Sequence, residues 1–327
     1  MRRREFITLL GSAAFASPSG SLAQVSSKRR LVTWLSSATE KVSTPYIGEF
    51  LIGMTELGYA KDRDFDFVAR FSEGVQDRLP MEAKELVQLQ PDVIIATEVV
   101  GAVAARQITK TIPIVCGALA DAVHLGLIAS EARPGRNVTG IEPYVAGLAA
   151  KQMEIAREIV PGATRVGILT DLVDPKAPPQ VQEFDAAAKT FGLTIIMAGA
   201  DRPDAVSSAL QTLTDQHVDV MVVVQSSMLL AENRKIAAFA LDKRLPSVYG
   251  YREYVLSGGL ISYGVDLRWC YHRTAYFVDK IFHGTPPGDL PVEFPTILWS
   301  SINLYTADAL GLTISPTLRA TADEVIK

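Results

Sequence analysis

Four histidines, His124, His217, His272 and His283, are the side chains best suited to hold a metal or move a proton, and their spacing supports neither. None falls in a His-Glu-x-x-His pattern, and each lies within or at the end of a helical-period segment. There is no Gly-x-Ser-x-Gly elbow, no Gly-Lys-Ser/Thr phosphate loop and no Gly-x-Gly-x-x-Gly fingerprint. Acid pairs such as Asp62 and Asp64 read as solvated loop charge. Cys116 and Cys270 are the only cysteines, with no metal-ligand spacing. In an oxidising compartment they can pair, and as buried thiols they need not. The sequence therefore predicts no catalytic residue, no metal and no cofactor.

What remains is recognition, and the pattern of elements says where it would occur. Apolar β-type runs alternate with helical-period segments: Leu31 to Leu35, a helix over Pro45 to Leu57, Phe65 to Phe71, a helix over Leu79 to Leu89, Asp92 to Ala96, a helix over Val99 to Ile108, and Pro113 to Cys116. A turn-forming break at 133–137 is followed by a second alternation. Its strands are Arg165 to Thr170, Thr194 to Ala198, Asp219 to Val224 and Ser247 to Tyr249; its helices are Gly147 to Val160, Gln180 to Phe191, Asp204 to His217 and Leu229 to Arg244. Such alternation implies parallel sheets with right-handed crossovers. At 327 residues the chain suits two domains. The late elements, Leu260 to Gly264, a helix over Leu267 to Phe282 and the segment after the proline-rich 284–295, are too few for a third. They must complete the first two.

In open parallel sheets ligands bind at the carboxyl ends of strands, beside helix N-termini with unpaired N–H groups. In the first half these exits are Ser36 and Ser37, Thr97 and Glu98, and Gly117 and Ala118 running on to Asp121. The hydroxyls of Ser36, Ser37 and Thr97 could hold a ligand carboxylate or simply cap helices. Asp121 could pair with an amine. In the second half the exits are Thr170 and Asp171, Gln225 and Ser226, and Tyr249 to Tyr251. Asp171 could face an amine or cap a helix, and Gln225 can both donate and accept. Tyr249, Tyr251, Tyr254 and Tyr263 crowd one stretch; rings with a polar tip suit a small-molecule cleft or a core.

The N-terminus reads as an export signal: basic Met1 to Glu5, a short apolar Phe6 to Ala16, and small residues at Ser21 and Ala23 that predict cleavage after Ala23. Arg3-Arg4-Glu5-Phe6-Ile7 has the form of a twin-arginine signal, with an ordinary secretory signal as the alternative. The whole chain has 32 basic and 36 acidic residues, net −4, and the cleaved chain would carry −6. An acidic chain argues against a nucleic-acid partner, which needs a basic surface. No run of 18 apolar residues offers a membrane span.

Several stretches resemble the ABC transporter substrate-binding family related to tryptophan- and tyrosine-type periplasmic binding proteins. These are Arg3 to Gly11, Arg133-Pro134-Gly135-Arg136-Asn137-Val138-Thr139-Gly140, Glu158 to Arg165, Gly258 to Gly264, Thr306 to Ile314 and Ala322 to Ile326. The resemblance implies a type I periplasmic-binding fold: two Rossmann-like lobes joined by a multi-strand hinge, with ligand held between them. The expected lobes are 30–142 plus about 266–290, and 143–265 plus about 291–327. The family commonly has Gly-Asp-Pro-Val where this chain has Ala120-Asp121-Ala122-Val123, and often serine at the Tyr251 position. The implied function is capture of an aromatic or branched amino acid, or a related carboxylate, for a permease in the inner membrane, by a monomeric periplasmic protein. A ligand-sensing module signalling to a membrane receptor is the alternative.

Overall fold

The computed structural model describes residues 29–145 and 147–327. The export-signal reading of residues 1–23 lies outside the described residues.

The first sheet contains β1 (Arg30–Ser36), β2 (Phe65–Phe71), β3 (Val93–Ala96), β4 (Ile114–Cys116) and β5 (Val138–Gly140) in the order β2-β1-β3-β4-β5. Every pair is parallel. The central β3, Val-Ile-Ile-Ala, is buried throughout because helices cover both faces of the sheet. On one face lie α2 (Leu79–Gln88) and α3 (Val99–Ile108), which close an apolar cluster around Leu35, Leu86 and Ile94.

On the other face lies α1 (Glu40–Glu56), which starts five residues before the position that Pro45 suggests. Thr39 supplies the true N-cap, its hydroxyl accepting from the Val42 N–H at 3.3 Å, and Pro45 is carried inside the helix. Beside α1 packs α10 (Leu267–Phe282). The two helices touch closely at Gly53, where a Cβ would stand 2.6 Å from the His272 carbonyl oxygen. Trp34 fills the layer between sheet and helices, its ring centroid 5.5 Å from that of Tyr271 and 6.3 Å from that of Phe50.

The second sheet contains β6 (Arg165–Asp171), β7 (Thr194–Ala200), β8 (Val220–Val223), β9 (Ser247–Tyr249), β10 (Ile261–Val265), β11 (Leu298–Asn303) and β12 (Glu324–Ile326). Their order is β12-β11-β10-β9-β8-β6-β7, and only β10 with β11 is antiparallel. Around it lie α4 (Leu148–Ile159), α5 (Ala177–Phe191), α6 (Val206–Asp215), α7 (Ser227–Ala231), α8 (Asn233–Asp242), α9 (Arg252–Leu256), α11 (Leu304–Leu310) and α12 (Pro316–Thr321). The single helix expected over 229–244 is divided at Glu232 into α7 and α8.

The chain passes between the sheets three times: after β5, after β10 and before β11. The first and third passages run side by side, with the Glu293 N–H donating to the Gly140 carbonyl at 3.0 Å and the Glu142 N–H to the Glu293 carbonyl at 2.9 Å. Arg273 on α10 grips Glu293 with two hydrogen bonds of 2.7 and 2.8 Å. A bidentate pair of this kind fixes both distance and angle. Cys116 and Cys270 are buried free thiols.

Candidate functional site

Loops at the strand carboxyl ends of both sheets enclose a cleft of about 340 Å³. From the first sheet come Ser37 and Ala38 after β1, the turn around Gly74 after β2, and Glu98 with Val99 and Val100 after β3. From the second come Asp171 at the end of β6 with Val173 to Lys176 after it, Asp201 to Pro203 after β7, and Ser227 with Met228 after β8. A much smaller inner chamber of about 30 Å³ adjoins it, sharing Ala38, Glu98 and Ser227. Its walls include Ser36, Tyr46, Ala118, Tyr251 and Tyr271. Volume and partly apolar lining suit a small organic molecule.

Glu98 is held firmly in the wall. The Ser37 hydroxyl donates to it at 2.7 Å, the Ser37 N–H at 3.3 Å, and the Thr97 hydroxyl also donates. Burial pushes its pKa up, while these donors work in the opposite direction. Across the cleft, Asp171 accepts from the Ser226 hydroxyl at 2.6 Å and from the Val173 N–H at 3.0 Å. Burial raises its pKa as well. Ser226 also caps α7, accepting from the Leu229 N–H at 3.2 Å. Ser36 accepts from the Ala38 N–H and the Ser43 hydroxyl, so its oxygen organises the loop entering α1.

Lys176 is the buried cation of the cleft, 5% exposed. Burial alone would depress its ammonium, but Asp174, 3.6 Å away, together with Tyr251 and Cys116, holds the pKa above the ordinary lysine value. Burial pushes the Tyr251 hydroxyl up to about 12, with the Lys176 charge pulling the other way.

Of the sequence-predicted residues, Ser37, Glu98 and Asp171 line the cleft, and Ser36, Thr97, Glu98, Ala118 and Tyr251 line the inner chamber. The others lie elsewhere. Tyr249 is fully buried behind the cleft, stacked on Tyr254 with ring centroids 4.5 Å apart and bonded to the Ser247 hydroxyl at 2.7 Å. It is a core residue because β9 is covered on both sides. The Gln225 side chain turns inward to the Gly250 carbonyl, and Gln180 engages its backbone from α5. Thr170 is buried and lines neither cavity.

Tyr263 is half-buried on β10, outside both cavities, its carbonyl accepting from Gln152 at 2.7 Å. Asp121 sits in an exposed turn with φ of 47°, a left-handed conformation that aspartate tolerates. Gly117 contributes by what it lacks: a Cβ there would stand 2.5 Å from the Tyr271 ring, which lines the chamber.

Sequence reasoning missed Lys176, Asp174, Tyr46, Tyr271 and Met228. Following the loop after Asp171 for five more residues would have reached Lys176. Tyr46 and Tyr271 lie on α1 and α10, and only the packing of those helices brings them to the chamber.

A tyrosine-binding protein of Clostridioides difficile is 25% identical to this chain over 266 residues, covering 80% of this chain and 75% of that protein. A conserved domain protein from Vibrio cholerae superposes with a TM-score of 0.85 at 25% identity, covering 91% of this chain and all of that one. An ABC domain from Streptococcus pneumonia, solved in complex with L-Trp, superposes with a TM-score of 0.84 at 24% identity over the same shares. The two-lobed α/β arrangement is that of type I periplasmic binding proteins. Residues 46–326 match the family model described as ABC transporter substrate binding protein, so the chain belongs to that family, whose members bind solute for transport and are not enzymes.

Proposed function

We propose that this chain is the exported solute-capturing component of an ABC importer, holding an aromatic or branched amino acid or a related carboxylate between two closing lobes. The observation that carries the reading is the 340 Å³ cleft, lined from the strand carboxyl ends of both sheets by fixed polar groups and by Val99, Val100, Val173 and Met228. Fixed polar groups orient a ligand, while apolar walls supply burial. The printed descriptions of the relatives, tyrosine-binding and L-Trp-bound, favour the same chemical class.

The lobes are 30–142 with about 266–290, and 143–265 with about 291–327. The hydrogen bonds of Val292 and Glu293 to Glu131 and Gly140 support a returning passage that runs beside the first lobe. The mature protein starts after Ala23, acts as a periplasmic monomer and meets its permease transiently. Among the described residues no helix is long and apolar enough to cross a membrane. Ligand first meets one lobe, and contacts from the other stabilise the closed form, since only differential affinity can shift that equilibrium.

A thermal-shift panel of aromatic and branched amino acids, the matching carboxylates and neutral sugars tests this reading. Stabilisation by at least one acid and by no sugar supports it. Stabilisation by sugars alone contradicts it.

A further inference from the structure

Resting on the cleft as the ligand site, we propose that Lys176 anchors the ligand's anionic group, so that the site selects a compact monocarboxylate and does not require an α-ammonium group.

The argument begins with unmet hydrogen-bonding capacity. The Lys176 side chain is 6% exposed and lines the cleft from the loop between β6 and α5. Its ammonium carries three donors. Among the described residues it has a single acidic partner, Asp174, and their separation of 3.6 Å is longer than a hydrogen bond. Donors left without a protein acceptor favour a ligand that supplies one, through charge-assisted hydrogen bonds. A carboxylate offers two oxygens and the opposite charge.

The acidic wall is in the reverse condition. Glu98 already accepts three hydrogen bonds from Ser37 and Thr97, and Asp171 accepts two, from Val173 and Ser226. A ligand ammonium would give up its hydration for acceptors that the protein already uses in part, in a cleft that also holds the Lys176 charge. The cation is thus the group left wanting a partner. The apolar body of the ligand would lie along Val99, Val100, Val173 and Met228.

The test is isothermal titration of 3-phenylpropanoate, L-phenylalanine and 2-phenylethylamine into the signal-free protein and into Lys176→Met. Because Lys176→Met leaves Asp174 without its cation, the double variant Asp174→Asn/Lys176→Met serves as a charge-balanced control for folding, checked by thermal unfolding. The expected result is that the carboxylate binds the wild type at least as tightly as the amino acid, and that the amine does not bind. Both variants should then weaken carboxylate binding by about 100-fold, the range for removing one member of a buried charge pair. Amino-acid binding tighter than carboxylate binding, and unchanged in both variants, would overturn this inference while leaving the cleft reading intact. Failure of all three probes to bind the wild type would overturn the inference together with that reading of the cleft.

Discussion

The Ser37 hydroxyl donates to the Glu98 carboxylate at 2.7 Å, tying the loop after β1 to the loop after β3 along the first-sheet wall of the cleft. Both residues leave their strands where a helix is about to begin, yet neither side chain caps that helix. Thr39 caps α1, and Glu98 makes no side-chain bond to α3. The pair therefore builds the cleft wall instead of ending a helix. Replacing Ser37 with alanine removes one of three donors to a buried carboxylate. The expected cost is about 1 kcal/mol of stability, read by denaturant unfolding. The Glu98 pKa should climb further, read by carboxyl-carbon NMR titration.

Tyr249 and Tyr254 belong to the interior, and their substitution should separate stability from binding. Tyr249→Ala empties a fully buried position and should cost about 3–5 kcal/mol. Tyr249→Phe loses only the bond to Ser247, worth about 1 kcal/mol. Ligand affinity of Tyr249→Phe should stay within about twofold of wild type, a change of a few tenths of a kcal/mol. A marked loss of affinity with unchanged stability would return Tyr249 to the cleft wall.

Gly117→Ala should act on the inner chamber. The new methyl would overlap Tyr271, whose hydroxyl donates to the Thr97 carbonyl at 3.1 Å and whose ring forms part of the chamber wall. Overpacking of this kind costs about 1–3 kcal/mol. Calorimetry should also show weaker ligand binding, because the ring moves toward the chamber or breaks its bond to Thr97.

Glu142 gives the passage between the sheets a pH dependence. Burial pushes its pKa up to about 7, helped by the nearby Glu131 and Asp121 charges and opposed by the Asp121 backbone bond and the Lys176 charge. The folded chain holds this proton more tightly than the unfolded chain. Its contribution to stability therefore falls as pH rises from 4.5 to about 7, and stays reduced above that. Glu142→Gln should raise the unfolding midpoint at pH 8 and leave it nearly unchanged at pH 4. An equal shift at both pH values would contradict the assignment.

Most of the strands and their order of appearance were legible because parallel strands covered on both faces read as continuous apolar runs, as in Val93 to Ala96 and Val220 to Val223. Strand exits then pointed to Ser37, Glu98 and Asp171. Tyr249 and Tyr251 could not be told apart by sequence, since both are buried tyrosines two residues apart at one strand end. Only the turn after β9 decides which ring meets the chamber. Lys176 was hidden for a different reason: it lies in a proline-flanked turn whose course sequence periodicity does not describe, and its burial depends on packing around the cleft. Pro45 suggests a helix start, yet a helix already capped at Thr39 carries it inside, so the beginning of α1 depends on the Thr39 cap and not on the proline.

The most direct test of the central claim is calorimetric titration of Ser227→Trp with 3-phenylpropanoate and L-phenylalanine. Ser227 borders both the cleft and the inner chamber, so an indole there should fill the shared space from the second-sheet side. If ligand lies between the lobes, binding should be lost while the unfolding midpoint stays within a few degrees of wild type, as for a substitution costing about 1 kcal/mol. Unchanged binding in a normally folded Ser227→Trp protein would contradict the account.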